Sequence, residues 1–173
     1  KYLKSDLIVW ATPLYFYHCT TAMKTLMDRL FVRSSPYILL NNGKESHPRK
    51  KEHLPDTLLI ATSGFMETQI FEPLKLTIEQ HTSRAGSNLL AEIIRPSVMA
   101  LINSDYENIK KDQIINALEK AGEEIINDKK INKKTKKTIE QKLMNIPDYL
   151  SVIHATMDKL LEEKDLSLIQ RKL

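Results

Sequence analysis

Two stretches of the chain carry side chains whose types and spacing suit ligand chemistry. The first is Thr12-Pro13-Leu14-Tyr15-Phe16-Tyr17-His18-Cys19, in which a rigid proline turn presents three consecutive aromatics. The second is Thr62-Ser63-Gly64-Phe65, where a glycine permits close approach of a ligand to the backbone. A planar aromatic ligand needs loops of this kind. Main-chain N–H groups meet its ring oxygens and nitrogens, and flat apolar walls exclude water. Each stretch also has a plainly structural reading. Alternate residues of an extended loop point opposite ways, so any one of the three aromatics can belong to the core, and the second stretch can be an ordinary turn.

The remaining reactive residues suggest less. His18 and Cys19 are adjacent, but neighbours in an extended loop diverge, so a Cys–His nucleophile pair is not expected. His47, His53 and His81 lack metal-ligand spacing and read as surface residues. Lys24 and Asp28 lie one helical turn apart, which suits a solvated or subunit-facing ion pair. No acid–base pair stands out, and no catalytic side chain is assigned.

The elements that must position the two loops follow from hydrophobic periodicity. Leu7-Ile8-Val9-Trp10-Ala11 is an apolar run too short for a helix and stopped by Thr12-Pro13, so it reads as a strand buried on both faces. From Thr20 the period changes. Met23, Met27 and Leu30, with Leu26 beside them, mark an amphipathic helix to about Arg33, capped by Thr20 or Thr21. Residues 34–56 hold four Gly or Pro among polar residues and form a long polar excursion.

A second strand covers residues 57–62 and a second helix carries Phe71, Leu74 and Ile78, closing near Gly86 in a left-handed cap. A third strand runs over residues 88–95 and stops at Pro96. From Asp112, Ile114, Leu118, Ala121 and Ile125 form the next helical stripe. This alternation predicts an α/β domain whose parallel strands lie side by side with helices flanking them. In such sheets ligands bind beyond the carboxyl ends of the strands, where both loops fall.

After residue 128 the composition shifts. Six lysines crowd residues 129–137, and a last helix from about Asp148 sets Leu150, Ile153, Met157 and Leu160 on one face. The lysine run reads as a solvated hinge, with an anionic partner as the alternative. The apolar stripe needs cover from the sheet domain or from another chain. Residues 1–128 are therefore expected to form the sheet domain and residues 129–173 a helical C-terminal extension.

With 173 residues and 42% hydrophobic content the chain can bury a core of its own, which excludes collagen-like, mucin-like and disordered classes. A net charge of +4 is common on domains of this size, and the lysine run has no aromatic stacking platform beside it, so no nucleic-acid role is expected. No run reaches the roughly 18–20 apolar residues of a membrane helix. Cys19 is the single cysteine, which suits a reducing compartment, and a cytoplasmic location is expected. A start at Lys1 without a signal-peptide pattern suggests a chain that begins inside a larger gene product.

The first block also carries a family resemblance. Ser5-Asp6-Leu7-Ile8-Val9-Trp10-Ala11-Thr12-Pro13-Leu14-Tyr15, followed by Met23-Lys24 and Asp28-Arg29, resembles the third strand, loop and helix of the flavodoxin-like NAD(P)H-dependent FMN reductases. The iron–sulfur flavoproteins are the branch nearest in pattern. The likeness continues through Thr62-Ser63-Gly64-Phe65 and Ile94-Arg95-Pro96, over about the first hundred residues. It implies a flavodoxin-like fold lacking the amino-terminal strand and phosphate loop, with strands 3 to 5 of the family pattern present. It further implies that Thr12, Pro13, Leu14, Tyr15 and Phe16 lie along the isoalloxazine ring of FMN, while Thr62, Ser63 and Gly64 approach from the next strand.

The implied function is an FMN-dependent oxidoreductase that takes hydride or electrons from NAD(P)H or a protein donor, and the implied assembly is a homo-oligomer, dimer or tetramer. Arg29 could reach a nicotinamide nucleotide phosphate, although a structural role is favoured. The cysteine cluster of the nearest branch has no counterpart here, so an iron–sulfur cluster is not expected. The alternative is a non-catalytic fragment or assembly module.

Overall fold

The structure, a computed structural model, describes residues 4–41, 43–47, 54–102 and 109–162. The expectation for His53 lies outside them. The sequence builds an α/β fold with a three-stranded parallel sheet flanked by helices. Strands β1 (Leu7–Pro13), β4 (Asp56–Thr62) and β5 (Leu89–Arg95) lie in the order β1-β4-β5. β1 pairs with β4 in register from Leu7 opposite Asp56 to Pro13 opposite Thr62, and β4 pairs with β5 through Thr62 opposite Arg95. All three carboxyl ends therefore finish level, at one edge of the molecule.

Helices α1 (Thr21–Leu30) and α2 (Glu72–Ala85) cover one face of the sheet. Trp10, Leu59, Ala61 and Ile94 from the strands meet Met23, Met27, Leu30, Leu74 and Ile78 from the helices, with Phe71 between them. The expected spacing holds because residues at i, i+4 and i+7 share a helix face. Thr20 caps α1 by accepting from the Met23 N–H, and Gly86, at φ 75°, closes α2 in the left-handed region where a side chain would be strained.

The other face is covered by α4 (Ile109–Asp128) and α5 (Lys133–Ile139), through Ala117, Ala121, Ile125 and Ile139 packed on Leu58 and Ile93. A third cluster joins the short α3 (Val98–Ile102), the start of α4 and α6 (Ile146–Glu162), with Ala100, Ile114, Leu143 and Tyr149 at its centre.

Several expectations need correction. β1 is not buried on both faces. Trp10 and Thr12 are buried on the side of α1 and α2, whereas on the opposite side the α4–α5 cluster touches β1 at Leu7 and does not extend along it, so Val9 is 47% exposed and Ala11 is exposed too. β4 is the strand with cover on both sides. The long polar excursion at residues 34–56 carries regular structure in its described part. After a 3₁₀ turn over Phe31–Arg33, β2 (Leu39–Asn41) and β3 (Lys44–Ser46) form an antiparallel hairpin. α3 was not expected at all.

The segment after residue 128 is fixed to the sheet by specific bonds. Lys129 Nζ pairs with Asp56 at 2.8 Å. Arg95, buried at the end of β5, donates from Nη1 to the carbonyls of Ile139 at 2.6 Å and Gln141 at 2.9 Å, where α5 runs out of its own donors. The α6 stripe divides: Ile153 and Leu160 are half-buried, whereas Leu150 and Met157 are exposed.

Candidate functional site at the carboxyl ends of the strands

Three loops leave the sheet at its carboxyl edge and are laced together by main-chain hydrogen bonds. Leu14 N–H donates to the Thr62 carbonyl at 2.8 Å, Ser63 N–H to Arg95 at 3.0 Å, Ser97 N–H to Phe65 at 2.8 Å and Val98 N–H to Ser63 at 2.9 Å. Level strand ends make this possible, since each loop begins one residue beyond the same row of the ladder.

Within the first loop, buried Thr12 Oγ1 accepts from the Thr20 N–H at 3.1 Å and donates to the Pro13 carbonyl at 2.8 Å, closing the base of the loop. At its tip Tyr15 and His18 exchange main-chain bonds of 2.9 and 3.0 Å. The two residues between them, Phe16 at φ 48° and Tyr17 at φ 64°, both occupy the left-handed region. A two-residue turn with positive φ at both positions is one that glycine and asparagine favour, so two aromatics there cost of order 1 kcal/mol each. The strained turn holds the Phe16 ring in solvent, 97% exposed.

Phe16, Tyr17 and Leu14 form one wall of a cleft of about 370 Å³, and Ser63, Gly64, Phe65 and Ile70 form the other. Ser63 is buried and its hydroxyl accepts from the Phe65 N–H at 3.0 Å, which shapes the second wall. Tyr149 of α6 donates its hydroxyl to the Gly64 carbonyl, and burial raises its pKa, so it stays protonated and a donor. A Cβ built on Gly64 would meet no atom within 4 Å, so the space beside this glycine is open. Among the described residues the main-chain N–H groups of Phe16, Tyr17 and Gly64 donate to no acceptor.

The structure thus brings together Leu14, Phe16, Ser63 and Gly64 of the sequence-derived set. The others stand elsewhere: Thr12 is buried below the loop, Pro13 and Tyr15 face solvent without lining the cleft, and Thr62 lies in the sheet ladder. Tyr17, Phe65 and Ile70 complete the walls. Tyr17 and Phe65 belong to the two stretches singled out, while Ile70 sits in a 3₁₀ turn that no periodicity marks.

His18 and Cys19 do not diverge. His18 Nδ1 lies 3.2 Å from Cys19 Sγ, and its Nε2 lies 3.0 Å from Thr77 Oγ1, because the tight turn folds the chain back. The Thr77 hydroxyl donates to the Pro73 carbonyl at 2.9 Å, which leaves its oxygen to accept from the imidazole. The thiol is buried, and burial pushes its pKa up, opposite to what a nucleophile needs. Lys24 and Asp28 form the expected exposed ion pair. Among the described residues no group of three His, Cys, Asp or Glu is placed to hold a metal, and no helix is long and apolar enough to cross a membrane.

Compared with models of known protein families and with curated proteins, the chain matches neither.

Proposed function

We propose that the chain is the flavin-ring-binding part of a flavodoxin-like, FMN-dependent oxidoreductase. The observation that carries this reading is the strand-end cleft, where aromatic side chains of two loops line one opening beside Gly64 and unengaged N–H groups belong to the same loops. A flat, hydrogen-bonding heterocycle matches that chemistry. A cleft of about 370 Å³ suits the ring system and not a whole nucleotide, so no described residue is assigned to the phosphate.

In this reading Phe16 and Phe65 enclose the ring and exclude water, Leu14 supports it from the strand, and the Gly64 and Phe16 amides meet its polar edge. FMN, when bound, supplies the hydride and electron chemistry, with NAD(P)H or a protein as donor.

The purified chain, mixed with FMN and then freed of unbound flavin by gel filtration, should retain the flavin's visible absorbance, which belongs to the cofactor and not to the protein. Gly64→Val should weaken binding, because the added side chain enters open space that the ring would occupy, while touching no protein atom. If Gly64→Val binds FMN as tightly as the parent chain, the ring does not sit in this cleft.

The alternative, an assembly module, is favoured by one observation: Ile146, Leu150, Met157 and Leu161 are exposed along α6. A homo-oligomer would bury them. Sedimentation of Leu150→Glu/Met157→Glu should then give a smaller species than the parent chain, and an unchanged mass removes α6 as the contact.

A further inference from the structure

A second and larger cavity, about 700 Å³, lies between α1, the β2–β3 hairpin and α2, on the helical layer and separate from the residues of the strand-end cleft. Its size falls within the usual range for small-molecule sites, roughly 300–1,000 Å³. Met27, Phe31 and Ile38 give it an apolar wall, and the Phe31 ring is braced edge-on by His47 at 5.3 Å between centroids. Thr77, Gln80 and His81 contribute polar groups from α2.

The decisive residue is Arg84. Its Nε donates to Gln80 Oε1 at 3.3 Å and its Nη1 to the Glu45 main-chain carbonyl at 2.6 Å. Both acceptors are uncharged, and no carboxylate among the described residues pairs with it. A guanidinium has five N–H donors, so these two bonds leave three others, two of them on Nη2. These neutral acceptors hold the group in place, and the two carboxylates that line the groove, Asp28 and Glu45, form no ion pair with it. The other cation at the rim, Lys24, is matched by Asp28 and offers no comparable charge.

We propose that this groove binds a small organic anion, an apolar or aromatic body bearing one carboxylate or phosphate, with the anionic group on the free edge of Arg84. The body lies against Met27, Phe31 and Ile38. Arginine suits this task because two parallel N–H groups match two oxygens of a carboxylate or phosphate. The site is independent of the flavin reading, since none of its lining residues borders the strand-end cleft.

Phenyl phosphate and benzoate are the probes, titrated into the full chain by calorimetry and by amide chemical shifts, with phenol and inorganic phosphate as their halves. Both probes should bind more tightly than either half, with shifts centred on Gln80, His81 and Arg84. Arg84→Gln should weaken them at least about tenfold, as loss of a bidentate charged contact does. Lys159→Gln, which removes an equal charge from an exposed position on α6, should leave binding unchanged. Ile38→Asp, an exposed position that introduces a negative charge into the groove, should weaken the probes independently of Arg84. The proposal fails if no probe binds at millimolar concentration, if Arg84→Gln and Ile38→Asp bind as the parent does, or if shifts centre on Phe16 and Phe65.

Discussion

The two faces of the sheet are closed in different ways. Beneath α1 and α2 the closure is almost wholly apolar and extends across all three strands, from Trp10 to Leu59 to Ile94. Beneath α4 and α5 the apolar cluster centres on β4 and β5 and touches β1 only at half-buried Leu7, and polar staples complete it: Arg95 to the end of α5, Lys129 to Asp56, and Glu124 to the start of α5. The first face depends on packing volume, which every added methylene group affects. The second depends on a few directed bonds, whose loss leaves buried groups without partners. Each face should therefore fail under a different perturbation.

The largest effect is expected on the apolar face. Leu59 has no exposed surface and lies in the central strand under α1 and α2. Leu59→Ala removes buried methyl groups and leaves a cavity that a sheet with neighbours on both sides cannot collapse, at a cost of about 2–5 kcal/mol. Urea denaturation at neutral pH checks this. A loss below about 1 kcal/mol would mean that this face is not closely packed.

Next comes Arg95. Arg95→Met keeps much of the aliphatic volume but leaves the Ile139 and Gln141 carbonyls without their donor, with an expected cost of about 1–3 kcal/mol. Hydrogen exchange should quicken first in α5 and α6, while β4 keeps its protection. Equal acceleration in α1 and α2 would show that the two faces open as one unit.

Acid separates the faces further. Glu124 accepts the Asn132 N–H and the Thr135 hydroxyl, each at 2.8 Å, and the main-chain bond is the chief cause of its lowered pKa. A carboxyl whose folded pKa lies below its unfolded value of about 4.3 stabilises the fold fully above that value. That stability is lost as pH falls through the folded pKa. Glu124→Gln should therefore be less stable than the parent at neutral pH, and the gap should close below about pH 4. A gap that persists undiminished at low pH would assign the effect to shape and not to charge.

The parts of this architecture that the sequence revealed were those set by periodicity. Met23, Met27 and Leu30, then Leu74 and Ile78, place two helices correctly because a shared face is a property of spacing. Strand-end loops followed from Pro13 and Gly64, and with them four residues of the cleft. What stayed hidden depends on partners that are distant in sequence. The β2–β3 hairpin has three-residue strands, too short to display alternation, and its one sequence mark is the Asn42-Gly43 pair between Leu39-Leu40-Asn41 and Lys44-Glu45-Ser46, a dipeptide that favours tight hairpin turns. Phe16 and Tyr17 occupy a turn that their residue types disfavour, so neither the turn nor the His18–Cys19 contact behind it was legible.

The smallest expected effect tests the uncovered part of the second face. Leu7-Ile8-Val9-Trp10-Ala11 and Thr57-Leu58-Leu59-Ile60-Ala61 are runs of the same kind, and nothing within either reveals how many helices will cover it. Only the position in the sheet does so: β4 lies between two strands, and β1 has a paired neighbour on one side among the described residues. Val9 shares the α4–α5 side of the sheet with Leu7 but lies beyond the part of β1 that their cluster covers, and it keeps 47% of its surface. Val9→Thr replaces one methyl group by a hydroxyl of similar shape, keeps the branching at Cβ that strands favour, and lets the hydroxyl meet water. The change should stay within about 0.5 kcal/mol, the usual range for surface substitutions. A loss above about 1.5 kcal/mol in urea denaturation would mean that this side of β1 is covered in solution, and a parallel loss of large species in sedimentation would make the covering element a second copy of the chain.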